Sequence, residues 1–405
     1  MRLLLIGNHT CGNRGDAAIA RGLIKALENK LPDAEIVMTS RYPVSSSYLL
    51  GRPIENDLFH SLRFKTGRAG DLARRALPYL LLGAVEKPKT MLKLMPEAVW
   101  ERIEYLKKFD AVIQVGGSFF VDLYGPRQFE TPFAAILAGT PLLVIGHSMG
   151  PLGGKRYQRF VRALLAKSHR VTIREPISME LLMAAGMPLE TVRSGSDTAW
   201  LVHEPTALPT VEKRLRPRIG ITVRHLAPFD KRLNTSQEAY ESAVASMCDR
   251  LIAEGYDIVA ASTCTGIESY NRDDRMIALS IAQRVGQPEH FSVVMDELND
   301  LELGQLFAKC ALVIGTRLHS AIIALGAGTP AVALNYEHKS EGIMDQLGLP
   351  ELACPITALL DGSFTGHVLT LLRNIDTVKS SASKAVQAEY ARASTMLDEA
   401  ISTLR

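Results

Sequence analysis

The stretch LVIGTRLHSAIIALGAGTPAVALNYEHKSEG, residues 312–342, decides the fold. An apolar run at 312–314 ends at Gly315, Thr316-Arg317-Leu318-His319-Ser320 opens a helix of small and apolar residues, and a second apolar run follows at 331–334. Strand, helix and strand in so short a span form the βαβ unit of a parallel sheet. The same alternation extends outward in both directions. Runs at 219–223, 258–262 and 292–295 complete a second-half set, and runs at 3–6, 35–38, 111–115, 142–145 and 170–173 form a first-half set. The expected fold class is therefore α/β, with two Rossmann-like domains whose parallel sheets face a cleft. Ligands of such sheets lie at the carboxyl ends of the strands.

The chain has 405 residues, too many for one ordinary core. HEPTALPTVEKRLRP, residues 203–217, holds three prolines and no apolar periodicity, which marks a linker. The expected divisions are an N-terminal domain over 1–205, a linker over 206–217, a C-terminal domain over 218–379, and a helix over 380–405 that can pack back on the N-terminal domain. Residues 51–100 break the alternation and read as an insertion. Within 63–93, eight basic residues (Arg63, Lys65, Arg68, Arg74, Arg75, Lys87, Lys89, Lys93) stand against Asp71 and Glu86, a surplus of six in a chain whose total is +3. Interleaved leucines make this stretch basic and amphipathic. It reads either as a contact with anionic lipid or a lipid-diphosphate acceptor, or as a solvated cover on the sheet.

Composition excludes several classes. A total of +3 gives no reason for wholesale nucleic-acid binding, and 47% hydrophobic residues exclude a disordered chain. Five scattered cysteines without CxxC spacing argue against a disulfide framework or zinc module, and no His/Cys spacing suggests a metal. The apolar run after Met1 is too short for a signal-peptide core or a membrane span. A cytoplasmic protein is expected, with peripheral contact at the inner face of the membrane left open.

Four further motifs follow strands. GNHTCGNRGDAAI begins at Gly7 and lacks GxGxxG spacing; Asn8, Asn13 and Asp16 read as groups that orient sugar hydroxyls, or as turn and capping residues. VGGSFFVDLYG places Ser118 and Asp122 after a glycine pair, again either toward a ligand or in a turn. IGHSMG puts Ser148 in a G-x-S-x-G pattern, but Gly150, Pro151, Gly153 and Gly154 follow it, so a loop stands where a nucleophile elbow needs a helix. Arg174 ends the run at 170–173, suited to gripping a carboxylate or phosphate, or paired with Glu175 or another acid. The opening stretch carries most weight. Arg317 and His319 at a helix start combine free N–H groups, the positive dipole end and a charged fork, which makes an anion site. His319 is placed to take a proton when an anionic substrate arrives. Asn335, Glu337, His338 and Lys339 follow the next strand to the same edge, and SYNRDD, residues 269–274, offers further sugar hydrogen bonds.

Taken in order, GNHTCGNRGDAAI, SRYPVSSS, IQVGGSFFVDLYG, IGHSMGP, SGSDTAWLV, LAPFDKRL, STCTGIESYNRDDRM, VVMDELNDLE and GTRLHSAII through NYEHKSEGIMDQLGLPE resemble the polysaccharide pyruvyl transferase family. The similarity is strongest to members acting in colanic acid and amylovoran synthesis. It implies a cytoplasmic, GT-B-like enzyme that moves the enolpyruvyl unit of phosphoenolpyruvate onto a sugar of a growing exopolysaccharide repeat and leaves a pyruvate ketal. Phosphoenolpyruvate is then a co-substrate, with no cofactor and no metal. The resemblance places the family's donor-site Arg at Arg174 and its Arg-Leu-His triplet at Arg317, Leu318 and His319. His319 is the expected acid and Arg317 the phosphate holder, while Asp16, Asp122 or Glu337 accepts the hydroxyl proton. A lipid-linked or polymeric galactose is the expected acceptor. The competing readings are a nucleotide-sugar glycosyltransferase of the same architecture and a non-catalytic scaffold of a membrane-bound assembly.

Overall fold

Leu3, Leu4, Leu5 and Ile6 are fully buried, as a strand covered on both faces must be. They belong to β1 (Arg2–Asn8), which pairs in parallel with β2 (Glu35–Ser40) and β4 (Ala111–Gln114); Leu4 stands opposite Val37 on one side and Val112 on the other. The computed structural model describes residues 1–63, 67–204, 214–227, 229–267, 273–335 and 338–404. β3 (Glu55–Asn56), β5 (Gly117–Phe120), β6 (Leu142–Met149), β7 (Arg170–Ile173) and β8 (Val192–Ser194) complete an eight-stranded parallel sheet, ordered β3-β2-β1-β4-β6-β7-β8 with β5 paired to β6. The second sheet holds β9 (Arg218–Thr222), β10 (Asp257–Ala261), β11 (Phe291–Val293), β12 (Leu312–Gly315), β13 (Ala331–Asn335) and β14 (Ala353–Pro355), ordered β11-β10-β9-β12-β13-β14. In both, the first strand lies beside the fourth. That reversal of winding is the switch point where doubly wound sheets take their ligands.

The chain divides into two compact units. One comprises Met1–Thr10, Ile19–Leu201 and Arg392–Arg405; the other comprises Cys11–Ala18 and Val202–Ala391. The second unit thus claims a short segment, Cys11–Ala18, that interrupts the first unit's sequence ten residues in, which no composition shift announces. In the first unit, His169 Nε2 lies 2.7 Å from the Thr403 carbonyl, Lys30 Nζ donates to Asp398 at 2.7 Å, and a side chain at Gly195 would collide with Met396. Most of the linker lies outside the described residues.

Residues 51–100, the basic insertion, turn out largely helical. In the helix Arg68–Glu86, Leu77, Leu81, Leu82, Ala84 and Val85 are buried, and they join Val99, Ile103 and Leu106 of the helix Glu97–Leu106 in the core against β4 and β6. Each such leucine contributes about 1.5–3 kcal/mol by leaving water. These apolar side chains are therefore core and unavailable to lipid, while Arg63, Arg68, Arg75, Lys87, Lys89 and Lys93 stay outside. No helix among the described residues is long and apolar enough to cross a membrane.

Candidate functional site

The second unit's site grows from the β9/β12 switch point. β12 ends at Gly315, where a side chain would strike Ser320 Oγ, so the chain turns tightly into the helix Leu318–Gly326. Thr222 Oγ1 at the end of β9 donates to Ser320 Oγ at 2.8 Å, and Thr316 Oγ1 donates to the Thr222 carbonyl at 2.9 Å. These bonds anchor both ends of the turn that carries Arg317, Leu318 and His319. Arg317 is the extended N-cap residue, and its guanidinium donates twice to Asp274, Nε to Oδ2 at 2.7 Å and Nη2 to Oδ1 at 3.0 Å. Asp274 is only 1% exposed. A buried carboxylate gripping the arginine by a two-point fork sets the direction of the charge as well as its position.

His319 packs on the segment that enters this unit from the chain's start. A Cβ at Gly15 would sit 2.6 Å from His319 Cγ, so only glycine lets the imidazole lie there. Arg14, fully buried, ties that segment down: its backbone N–H donates to the Thr263 carbonyl at 2.8 Å, and its guanidinium reaches the Gly12 carbonyl at 2.7 Å, Thr265 Oγ1 at 3.1 Å, the Leu298 carbonyl and Glu297. Asn13 forms a bridge with Cys264, and its Oδ1 accepts from Gly15 N at 3.0 Å. Asp16 falls in the first turn of the helix Arg14–Lys30. Asn13, Asp16, Arg317, Leu318 and His319 thus share one end of one sheet. Burial pushes the Cys264 thiol up to about 12, with Arg317 opposing and Asp274 and Asp16 adding to the rise, so this cysteine is not a nucleophile at neutral pH. Asn335, at the end of β13, is half-buried and its Oδ1 has no hydrogen-bond partner. Glu337 lies outside the described residues, as do the structure of 268–272 and the side chain of Lys339 in the helix His338–Gln346. Replacing Gly15 by Ala is expected to displace the imidazole and to lower kcat/KM by about 10–100-fold with the fold intact, checked by turnover alongside circular dichroism.

The remaining candidates belong to the first unit. Asn8 closes β1 and is buried. Arg174, 2% exposed, donates from Nε to Ser148 Oγ at 2.7 Å and from Nη1 to Asp197 Oδ2 at 2.7 Å. The acid that pairs with it is therefore Asp197; Glu175 instead caps the helix Pro176–Ala184 through Ser178 N at 2.8 Å. Ser148 lies inside β6 and the next helix begins at Lys155, so the elbow geometry is absent. Asp122 is exposed and accepts from Gly154 N at 3.0 Å, which makes it a brace for the glycine loop. Ser118 Oγ is buried without a hydrogen-bond partner.

Sequence reading missed the partners of Arg14 and Arg317. At NRDD, Asp273 caps its helix, accepting from Arg275 N. Asp274 and Asp300, at 1% and 2% exposure, are buried instead. Asp274, beside Arg275 in sequence, looks satisfied locally; its true partner, Arg317, is 43 residues away.

The profile of the family described as polysaccharide pyruvyl transferase matches residues 13–338. The amylovoran biosynthesis protein AmsJ of Erwinia amylovora is 45% identical over 399 residues, covering 96% of each chain. Among solved structures, the Anabaena protein Alr3699/HepE in complex with UDP-glucose matches with a TM-score of 0.62 at 15% identity, over 100% of this chain and 99% of that one. A UDP-GlcNAc 2-epimerase from Neisseria meningitidis matches with a TM-score of 0.60 at 13% identity, over 99% of both. At such identities these two establish the GT-B-like fold and nothing about substrate. The family match spans the Gly15 segment, the Arg317–His319 helix start and the strands that carry them. The chain belongs to the polysaccharide pyruvyl transferase family.

Proposed function

We propose that the chain transfers the enolpyruvyl unit of phosphoenolpyruvate to a galactose of an exopolysaccharide repeat, closing a pyruvate ketal. The observation that carries this reading is the helix start at Arg317–His319, where a carboxylate-oriented guanidinium and an imidazole flank backbone N–H groups. Phosphoenolpyruvate offers a dianionic phosphate, a carboxylate and a methylene carbon that accepts a proton. His319 protonates that methylene, giving the adjacent carbon oxocarbenium character. A sugar hydroxyl attacks this carbon and releases its proton. The C–O bond to phosphate then breaks with Arg317 stabilising the leaving dianion, and a second hydroxyl adds and loses its proton. One proton becomes part of the new methyl group and the other leaves with phosphate or solvent. No redox partner is needed, and no residue of the chain is consumed. Asp16, in the first turn of the helix Arg14–Lys30, is the proton acceptor in this reading; Asp122 is a brace and is the weaker candidate.

The glycosyltransferase alternative fails on the family match, and the fold likeness to nucleotide-sugar enzymes does not revive it. The expected result is a rise in Tm with phosphoenolpyruvate and none with UDP- or GDP-sugars; the reverse pattern would sink the proposal. Stabilisation follows RT ln(1 + [L]/Kd), about 2.7 kcal/mol at a hundredfold excess over Kd.

Peripheral membrane contact is proposed on charge alone. Arg68, Arg75, Lys87, Lys89 and Lys93 are exposed, whereas Arg74 is spent on the Phe59 and Leu62 carbonyls. Exposed Leu72 and Leu94 flank this face. Each such cation is worth about 1 kcal/mol at an anionic surface. Vesicles containing phosphatidylglycerol are expected to retain the protein at low salt, and the triple variant Arg75→Glu/Lys87→Glu/Lys89→Glu to abolish retention; equal retention on neutral vesicles would refute it.

A further inference from the structure

The first unit has its own switch point, between β1 and β4, and something is built there that the donor chemistry does not use. A cavity of about 20 Å³, room for one water-sized group, is lined by Gly7, Arg41, Asp57, His60, Gln114 and Glu130, with Arg127 beside them. Gly7 follows the buried apolar run of β1 with a positive φ of 83°; a side chain there would occupy the place of the Gln114 amide. Glycine therefore lets Gln114, the last residue of β4, turn across the sheet edge. Gln114 and Glu130 are each 3% exposed. Gln114 Oε1 and Glu130 Oε1 are both buried with no hydrogen-bond partner. Two such orphans at one cavity are costly unless something enters to satisfy them.

The charges say what that something is. Arg127 Nε is 3.9 Å from Glu130 Oε1, beyond hydrogen-bond reach. Arg41 is engaged by Gln128 Oε1 at 2.8 Å and lies 3.3 Å from His9 Nδ1, while Asp57 Oδ1 accepts from the backbone of Phe59 and His60. Burial raises the Glu130 carboxyl to about 8, with Asp57 adding to the rise and Arg127 and Arg41 opposing it. Burial and Arg41 together lower His9 to about 4 and depress His60 as well. At neutral pH Glu130 is thus mostly protonated and both imidazoles neutral. An anion would meet Gln114 Oε1 and Asp57, and a cation would meet Arg41 and Arg127. A neutral hydroxyl suits the site, since it accepts from the Glu130 carboxyl and donates to Gln114 Oε1. His60, whose ring centroid is 6.1 Å from that of Tyr42, and Phe59 bring rings of the kind sugars stack against to the cavity lining.

We propose that this cavity receives one hydroxyl of the acceptor sugar, held between Gln114 and Glu130, and so sets which sugar the enzyme takes. The proposal rests on transfer to a polysaccharide, but its test needs no donor. Methyl galactoside, glucoside and mannoside, and the monodeoxy derivatives of whichever binds, are titrated into the full chain by saturation-transfer NMR; phosphoenolpyruvate binding is measured separately. One deoxy position is expected to weaken binding by about 10-fold or more in the wild type. Gln114→Ala and Glu130→Ala are expected to remove that discrimination and leave phosphoenolpyruvate binding unchanged. The proposal is overturned if no glycoside binds, if every deoxy derivative binds like its parent, or if both variants keep the discrimination, in which case the cavity holds a structural water. Loss of phosphoenolpyruvate binding with sugar discrimination intact would instead remove the pyruvyl-transfer reading and leave this one standing.

Discussion

His319→Gln is expected to lower kcat by about 10²–10⁴-fold while the KM for phosphoenolpyruvate stays within a few-fold of wild type. Glutamine matches the imidazole in reach and can still hydrogen-bond a phosphate oxygen. It cannot deliver a proton to carbon. Because the lost interaction exists only as the methylene is protonated, the deficit falls on kcat rather than on ground-state binding. Gly15 and the 315–320 turn hold the position of the side chain, so the substitution leaves the surrounding hydrogen bonds from Thr222 and Ser320 in place. Incorporation of solvent deuterium into the new methyl group gives an independent readout: it should slow in proportion to turnover. Near-normal turnover by the glutamine variant would assign the acid elsewhere.

The second large effect is on stability. Arg174 and Asp197 are 2% and 1% exposed and pair at 2.7 Å. Asp197→Ala leaves a guanidinium buried without its counter-charge, and Ser148 cannot neutralise it. A loss of about 3–5 kcal/mol is expected, a large part of the 5–15 kcal/mol that typically separates folded from unfolded chains. The measurement is a shift in urea midpoint at unchanged slope. The double variant Arg174→Met/Asp197→Leu removes both charges and should recover much of the stability. If Arg174 also grips the donor, as the resemblance implies, this stable double variant will remain inactive. A stable and active double variant would confine Arg174 to a structural role.

The strands were legible because parallel strands buried on both faces read as unbroken apolar runs, and β1, β4, β6, β9 and β12 are of this kind. The Arg317–His319 helix start was legible for a similar reason: its charged residues sit directly after such a run. β3, β8 and β14 were not seen. They are two or three residues long at sheet edges and carry exposed side chains, so neither periodicity nor hydropathy marks them. Harder still were the buried acids. Asp274 and Glu130 have ordinary neighbours in sequence, and only a partner or a cavity tens to hundreds of residues away decides that they are inside. The basic stretch at 63–93 shows the opposite failure. Its pattern was read correctly, but an apolar stripe does not disclose whether lipid or a sheet will cover it, and here the sheet does.

The assignment of Cys11–Ala18 to the second unit bears on how the polypeptide is made. Arg14 leaves the ribosome well before Thr265 and Glu297, which are 251 and 283 positions behind it. At roughly 5–20 residues per second, that segment waits about 13–57 s for its partners. The first unit is likewise unfinished until residues 392–405 emerge. Neither unit can therefore be completed in order from the amino end. A nascent chain stalled after residue 204 would expose Arg14 and an uncovered sheet edge together, and translation speed across the second half becomes a determinant of yield.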